Sequence, residues 1–354
     1  MATAAIDEAR LEEFVGRVVT DMSAAMSAPL TMLGDKLGLY RAMNGAGPVS
    51  SAEIAEKAGC NERLVREWLG NQVTGGYVEY DAETDRYELP AEHAMVFAEP
   101  QSPVYLMGAF DVLASIFADE EKLIRAFRSG EGLGWHEHDH RLFHGTEKFF
   151  RPGYQAHLVA EWIPALDGVD QRLQEGIRVA DVGCGHGAST LIMARAYPNS
   201  EFVGFDYHAE SIARARELAE EEGLSDRVSF EVATAQDFPG RFDLVCNFDC
   251  LHDMGDPVGA ARHTAEALNP GGTYFIVEPN AGDSLTDNVS PVGRMFYGAS
   301  TLVCTPASQA QDVGLALGAQ AGEARLAEVL KEGGFASVRR ATETPFNIIL
   351  EARA

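Results

Sequence analysis

The segment IRVADVGCGHGAST, residues 177–190, constrains the fold more than any other part of the chain. Ile177, Val179 and Val182 make an apolar run of strand type, and STLIMARAY, from Ser189, reads as a helix. Between the two stand Gly183, Gly185 and Gly187 at alternate positions. A strand that turns so abruptly into a helix needs backbone without side chains, and the missing Cβ atoms let a ligand approach. The helix start then offers N–H groups to whatever fills the turn. Nineteen residues past Gly187, Asp206 ends the strand-like EFVGFD. A carboxylate on the tip of the second strand, about 20 residues beyond such a loop, takes ribose hydroxyls. The spacing is GxGxG preceded by Asp181, not the GxGxxG that seats a pyrophosphate. It suits a ligand with a ribose and an amino-acid tail, and it disfavours a nicotinamide dinucleotide.

The alternation of strands and helices continues. RVSFEVATAQDFP (227–239) reads as a third strand, RFDLVCNFDCLHDM (241–254) as a fourth with its loop, and TYFIVEPN as a fifth. GEARLAEVLKEGGF then precedes two terminal strands near 335–343 and 345–352. This pattern signals a parallel α/β sheet from residue 176 onward.

The N-terminal half is organised differently. Leu11, Val15, Val18, Val19, Met22 and Met26 lie on one face of a helix over 6–26, expected to end near Pro29, with a second helix over 30–43. That stripe suits either a partner helix or packing within the chain. From Asp35 to Ala98 the pattern is that of a winged helix-turn-helix: AEIAEKAG with Ser51 as the expected N-cap, a turn at Gly59-Cys60-Asn61, the helix ERLVREWLGNQVTGG, and a two-stranded wing, YVEY and RYELP. The expected organisation is therefore an arm over 1–34 that contacts a second copy, a dimerising winged helix over 35–98, helical cover over 99–175, and an α/β domain over 176–354 with a cap insertion at 281–320.

Charge speaks against nucleic acid. The chain carries 54 acidic and 28 basic residues, a formal charge of −26, and a polyphosphate backbone is bound chiefly through Lys and Arg. Within residues 35–99 there are twelve acidic and six basic side chains, and Arg63 and Arg66 of the would-be reading helix are offset by Glu62 and Glu67. The five cysteines, Cys60, Cys184, Cys246, Cys250 and Cys304, are scattered and form no CxxC pair, which fits a reducing compartment. No secretory start and no apolar span of membrane length is present, so a cytoplasmic protein without a membrane partner is expected.

The glycine loop, Asp206 and the strand pattern together resemble the class I S-adenosylmethionine-dependent methyltransferases. With the winged helix, the whole chain resembles a group of actinobacterial small-molecule methyltransferases and, more distantly, the small-molecule O-methyltransferases that dimerise through such a domain. The resemblance implies a seven-stranded sheet of order 3-2-1-4-5-7-6 with the seventh strand antiparallel. It implies S-adenosylmethionine as cofactor, S-adenosylhomocysteine as product, a small-molecule acceptor and a homodimer. Carried over, Gly183, Gly185 and Gly187 line the cofactor, Asp181 reaches its amino end, and Asp206 with Tyr207 lies at the ribose. Thr234, Ala235 and Gln236 replace the usual Asp-Ala pair near the adenine, and Phe248 and Asp249 fall beside the methionine amino group.

His252, in CLHDMGDP, matches the LHDW-type segment that supplies a base in the family's O-methyltransferases, with Asp253 as its candidate orienter. A neutral imidazole accepts a hydroxyl proton at neutral pH. Segments 135–154 and 289–306 supply the acceptor pocket in this reading, with His136, His138, His140, Phe150, Tyr154, Glu278, Arg294 and Tyr297 as its candidate residues. The run His136-x-His138-x-His140 would place three imidazoles on one side of an extended strand, the arrangement a zinc or copper ion prefers, but pocket wall or polar loop is the reading adopted and no metal is assigned. The function expected is methyl transfer to O, S or N of a small, partly apolar molecule. A transcriptional regulator that senses a metabolite through its α/β half is the alternative.

Overall fold

The computed structural model describes residues 6–354; residues 1–5, the start of the expected arm, lie outside the described residues. Two compact units emerge. One takes the chain up to Ala114 together with His144–Pro152, the other Ser115–Phe143 and Gly153–Ala354.

The first unit is helical with a small wing. Its opening helix runs unbroken from Glu8 to Lys36, so the expected break at Pro29 does not occur. An interior proline removes one helical N–H and crowds the preceding turn, at about 3 kcal/mol. Docking offsets this: Trp68 Nε1 donates to the Leu30 carbonyl at 2.9 Å and Asn71 Nδ2 to Ser27 Oγ at 3.1 Å, from the helix Glu62–Thr74. The other end makes no such contact, and every residue from Ile6 to Thr20 is exposed. Ser50, not Ser51, starts the helix Ser51–Ala58, because Glu53 closes a capping box on it: Ser50 N–H donates to Glu53 Oε2 at 2.7 Å, and Glu53 N–H to Ser50 Oγ at 3.3 Å. The wing is the antiparallel pair β1 (Glu79–Asp81) and β2 (Arg86–Glu88). Tyr40, Trp68, Leu69 and Phe97 lie at the centre of this unit's core.

The helices Met107–Ala118 and Arg141–His157 cross where neither can carry a side chain. A Cβ on Gly108 would lie 2.3 Å from Phe149 N and 2.5 Å from the Gly145 oxygen, and one on Gly145 would lie 2.8 Å from Val112 N.

The second unit is built on seven strands: β3 (Arg178–Val182), β4 (Glu201–Asp206), β5 (Val228–Val232), β6 (Phe242–Phe248), β7 (Leu268–Pro279), β8 (Ser337–Glu343) and β9 (Asn347–Arg353). Their order is β5-β4-β3-β6-β7-β9-β8, with β9 antiparallel to both its neighbours and the rest parallel. This is the order that the resemblance implies. Helices return the chain between the paired parallel strands β3 and β4, β4 and β5, and β6 and β7, while a loop leads from β5 to β6, and the central strands are almost wholly buried. One core cluster runs from Val203 and Phe205 through Val245 and Tyr274 to Ile348 and Leu350. The strand tips that carry Asp206, Asp249 and Glu278 consequently stand together at one edge of the sheet.

Backbone atoms cannot move aside for a methyl group as side chains can. Gly108→Ala is therefore expected to lower stability by about 3 kcal/mol, read as a shift in the midpoint of urea unfolding. The control Gly16→Ala, where a Cβ meets nothing within 4 Å, should instead be neutral or gain up to about 1 kcal/mol from helix propensity.

Candidate active site

The parallel register of β3 on β4 pairs Val182 with Phe205 and so sets the glycine loop opposite Asp206. Gly183 and Cys184 N–H both donate to the Phe205 carbonyl, at 2.8 and 3.0 Å. Gly185 N–H donates to Asp206 Oδ2 at 2.9 Å, and His208 N–H to Oδ1 at 2.8 Å. The three glycines all have positive φ, but their surroundings differ. A Cβ on Gly183 would sit 2.6 Å from Cys250 Sγ and one on Gly187 2.5 Å from the Phe230 ring, whereas one on Gly185 meets nothing within 4 Å. The loop thus opens onto space at Gly185 and is packed on either side.

Asp181, at the loop's entrance, is 1% exposed. Its Oδ2 accepts from Ser189 and Thr190 hydroxyls, each at 2.6 Å, and its Oδ1 has no partner. A buried carboxylate oxygen left so is costly unless a donor arrives. Burial pushes the Asp181 carboxyl up to about 6 and also raises Asp206.

On the other side of β3 the tips of β6 and β7 stand level, Phe248 paired with Val277. Asp249 and Glu278 therefore follow side by side. Asp249 adopts φ 51°, a left-handed conformation that Asp tolerates better than most residues. Tyr154 Oη donates to its Oδ2 at 2.8 Å and Asn347 Nδ2 to its Oδ1 at 2.7 Å. Burial and then the neighbouring Glu278 push Asp249 up to about 7, and burial takes Asp253 to about 7 as well.

His252 sits in the tight turn Leu251–Asp253 and is 5% exposed. Glu278 grips this turn with both oxygens: Leu251 N–H donates to Oε1 at 2.9 Å, and Oε2 lies 2.5 Å from His252 Nδ1. The orienter of the imidazole is Glu278, from β7, and not the adjacent Asp253. Burial disfavours the imidazolium, but the Glu278 carboxylate outweighs it, with Cys304 adding to the effect, so His252 is raised well above its ordinary range. Asp249, Asp253 and Glu278 are the carboxyls that bear on this imidazole.

Residues 173–334 match the family described as Methyltransferase domain, and residues 24–99 match the Rv2258c-like winged HTH domain. The chain is a winged-helix protein with a methyltransferase domain. It is 33% identical over 132 residues to 27-O-demethylrifamycin SV methyltransferase of Amycolatopsis mediterranei, covering 34% of this chain and 48% of that one. To the chloroplastic tocopherol O-methyltransferase of Arabidopsis thaliana it is 28% identical over 153 residues, 40% of this chain and 44% of that one. The matched part is thus less than half the length of these relatives. Among solved structures, the mitomycin 7-O-methyltransferase MmcR superposes over 98% of this chain and 99% of its own, with a TM-score of 0.69 and 21% identity. Human N-acetylserotonin methyltransferase in complex with SAM superposes over 100% of this chain and 99% of its own, with a TM-score of 0.69 and 15% identity. These two share the fold.

The methyltransferase domain places the remaining sequence candidates unevenly. Thr234 and Gln236 are tied into their own turn, Thr234 N–H and Oγ1 donating to Asp237 Oδ1, while Gln236 Nε2 donates to the Asp256 carbonyl. Ala235 packs partly buried against the core, Phe248 stacks at a tilt on Tyr154, and Tyr207 is 43% exposed. The histidine run does not form the extended strand that the metal alternative required. Trp135–Glu137 forms a single 3₁₀ turn and a helix begins at Arg141, so the three imidazoles do not share a side. Asp119 is the cause: its Oδ2 takes both His138 Nδ1 and Asp139 N–H at 2.9 Å, which folds the run back on itself. His136 and His140 are exposed, and His138 is buried. Phe150 lies in the first unit, edge-on to Phe149. Arg294 is exposed and Tyr297 half-buried on the helix Pro291–Ala299. Sequence reasoning missed Asn347 and Cys304 and misassigned Glu278, although an acid ending the apolar run FIVE was a visible signal.

Carboxyls that stay protonated in the fold to a higher pH than in the unfolded chain make the folded state bind more protons between about pH 4 and 7, so their contribution to stability falls as pH rises through that window. Asp249→Asn removes one such group. Comparing urea unfolding at pH 5 and pH 7, the loss of stability on going to pH 7 should be smaller in the variant than in the parent; an equal or larger loss contradicts the raised Asp249.

Proposed function

We propose that this protein is an S-adenosylmethionine-dependent methyltransferase acting on an oxygen of a small, partly apolar molecule. The observation that carries the reading is the acid-lined opening at Gly185, where Asp181 Oδ1 is buried without a partner and Asp206 is fixed by two backbone N–H groups. Bound S-adenosylmethionine supplies a methyl group on a sulfonium, which yields to a nucleophile in line with the sulfur. Asp206 keeps lone pairs for two ribose hydroxyls. Asp181 and Asp249 offer negative charge to an ammonium group. Gly185 admits the nucleoside because it carries no side chain. Thr234, Ala235, Gln236 and Tyr207 border the adenosine in this reading, and Tyr154 holds Asp249 in its strained conformation.

His252 takes the acceptor's proton. Glu278 fixes Nδ1, so the ring presents Nε2 outward in a single orientation. The raised imidazole holds its outer proton in the empty site and gives it up once a cation occupies the acid-lined opening, since like charges repel. Oxygen is the favoured acceptor atom because a hydroxyl needs such a base, whereas a neutral amine attacks without one and a thiol ionises nearer neutral pH. The names of the rifamycin, mitomycin and tocopherol relatives point the same way. The regulator alternative gains no support: Arg63 and Arg66 are engaged by Glu67 and Glu62 on their own helix, at 2.5 and 2.7 Å. No helix among the described residues is long and apolar enough to cross a membrane. The five thiols are unpaired, which suits the cytoplasm.

A second copy of the chain is the partner we infer for the opening helix, whose Leu11, Phe14, Val15, Val18, Val19 and Met22 are exposed in one chain. Light scattering should give twice the chain mass for the parent, and Val15→Glu with Val19→Glu should give the monomer; a monomeric parent refutes the pairing.

Calorimetry with S-adenosylhomocysteine tests the donor site. Asp206→Ala should weaken binding roughly 30-fold or more through loss of charged hydrogen bonds, and His252→Ala should leave it unchanged. No binding by the parent removes the proposal. With a panel of phenols, product formation should fall at least about 100-fold in His252→Ala; equal turnover would dismiss the base.

A further inference from the structure

Two stretches of chain far from the tip of β6 hold the two sides of the site. Residues 304–318 are stitched to the turn that carries His252. Gly318 N–H donates to the His252 carbonyl at 3.0 Å, Ser308 Oγ to that of Met254 at 2.7 Å, Gln311 Nε2 to that of Asp253 at 3.0 Å and Leu315 N–H to that of Gly255 at 2.9 Å. The Asp249 side is held by the hairpin between β8 and β9, which the methyl-transfer reading leaves without a task.

That hairpin is fixed from within and from β7. Thr344 N–H donates to the Asn347 carbonyl at 2.8 Å, and Asn347 N–H to Thr344 Oγ1 at 3.0 Å. Asn280, one residue past β7, clamps it: its N–H donates to the Phe346 carbonyl and its Nδ2 to the Thr344 carbonyl, each at 2.8 Å. The register of β9 on β7 pairs Asn347 with Pro279. Asn347 thus has little backbone freedom, and its side chain, 9% exposed, lies where Nδ2 donates to Asp249 Oδ1 at 2.7 Å.

Asp249 is anchored at its backbone, with φ 51° and its N–H on the Val277 carbonyl at 2.8 Å. Tyr154 Oη takes one lone pair of Oδ2 and Asn347 Nδ2 one of Oδ1. The carboxyl plane is therefore set at both ends, and each oxygen keeps a lone pair for a cation. Burial and Glu278 favour the neutral acid, whereas both donors and His252 favour the carboxylate. The groups that bear on its charge thus come from four elements: Glu278 on β7, His252 in the turn after β6, Tyr154 on the helix Arg141–His157 and Asn347 on β9.

We propose that Asn347 is a positioning residue for the cationic tail of the methyl donor, acting only through Asp249, whose carboxyl plane it sets and whose charged form it favours. An arriving ammonium then meets a carboxylate already oriented, not a neutral acid free to turn. The inference rests on the donor reading, because it takes an ammonium to be what Asp249 holds.

The test is calorimetry of the full-length protein with S-adenosylhomocysteine, whose tail carries the same ammonium, between pH 6 and 8. It compares the parent with Asn347→Leu, Asp249→Asn and the double variant. Leucine has the branching of asparagine and donates nothing. In the parent, affinity should rise with pH as Asp249 loses its proton at about 7, since only the charged carboxyl pairs with an ammonium. In Asn347→Leu that rise should move up by about one pH unit, weakening binding about 10-fold at pH 6 and only about 2-fold at pH 8. In the Asp249→Asn background the same substitution should change affinity by less than about 2-fold at either pH. Asn347→Ala, which removes the amide without adding bulk, repeats the comparison, and urea unfolding at pH 8 checks that each variant is folded. An equal loss at every pH, or a loss of the same size in the Asp249→Asn background, makes Asn347 a structural residue and overturns the proposal. A parent that binds at no pH removes the donor reading and this inference with it. A parent that binds while the Asn347→Leu profile coincides with its own removes this inference alone.

Discussion

The tip of β3 determines the rest of the site. Two successive N–H groups share the Phe205 carbonyl and a third reaches the Asp206 carboxylate, so the bend cannot shift without breaking the pairing of the two central strands. A tightly held backbone gives a sugar and its tail fixed partners. Side chains at Gly183 and Gly187 would collide with Cys250 and Phe230. Those two glycines therefore serve packing, and only Gly185 faces open space.

The second organising element is an excess of acid in a dry place. Asp181, Asp206, Asp249, Asp253 and Glu278 stand near the strand tips at one edge of the sheet, with His252 beside Asp249, Asp253 and Glu278 and with His186 and His208 beside Asp206. Each carboxylate that ionises there is disfavoured by lost hydration and by its neighbours. A monocationic sulfonium and an ammonium would relieve that strain in a way that a neutral or anionic molecule could not. The same excess explains why the imidazole is so strongly basic and why its partner had to be a residue anchored on a second strand.

Much of this was legible in the chain. Alternate glycines, Asp206 and the run of strands specify a parallel sheet with a ligand loop because each rests on local chemistry, namely turn geometry, strand length and the reach of a carboxylate; the strand order came only from the resemblance they carry. What depended on distant contacts was not. Pro29 should end a helix by its own chemistry, and only Trp68 and Asn71, some forty residues on, reverse that. Glu278 lies 26 positions from His252, and its role follows from the register of β6 on β7. The histidine run looked extended because its alternation was regular; Asp119, far upstream, bends it. The capping box was a different matter. Ser50 and Glu53 have the required spacing, and Ser51 does not, so that error was one of reading, not of missing information.

The seam between residues 304–318 and the turn at 252–255 bears on how such a protein can diversify. Gly318 and Leu315 N–H, Ser308 Oγ and the Gln311 amide all bond to backbone atoms of the turn, so a residue can scarcely be added or deleted there without dislodging the imidazole. The stretch before it is held in part by its own contacts, Asn288 Nδ2 donating to the Gly282 and Ser284 carbonyls, and by Ala324 N–H donating to Asp283. Evolution can lengthen or shorten that stretch to suit a larger or smaller guest while the chemistry behind it stays in register.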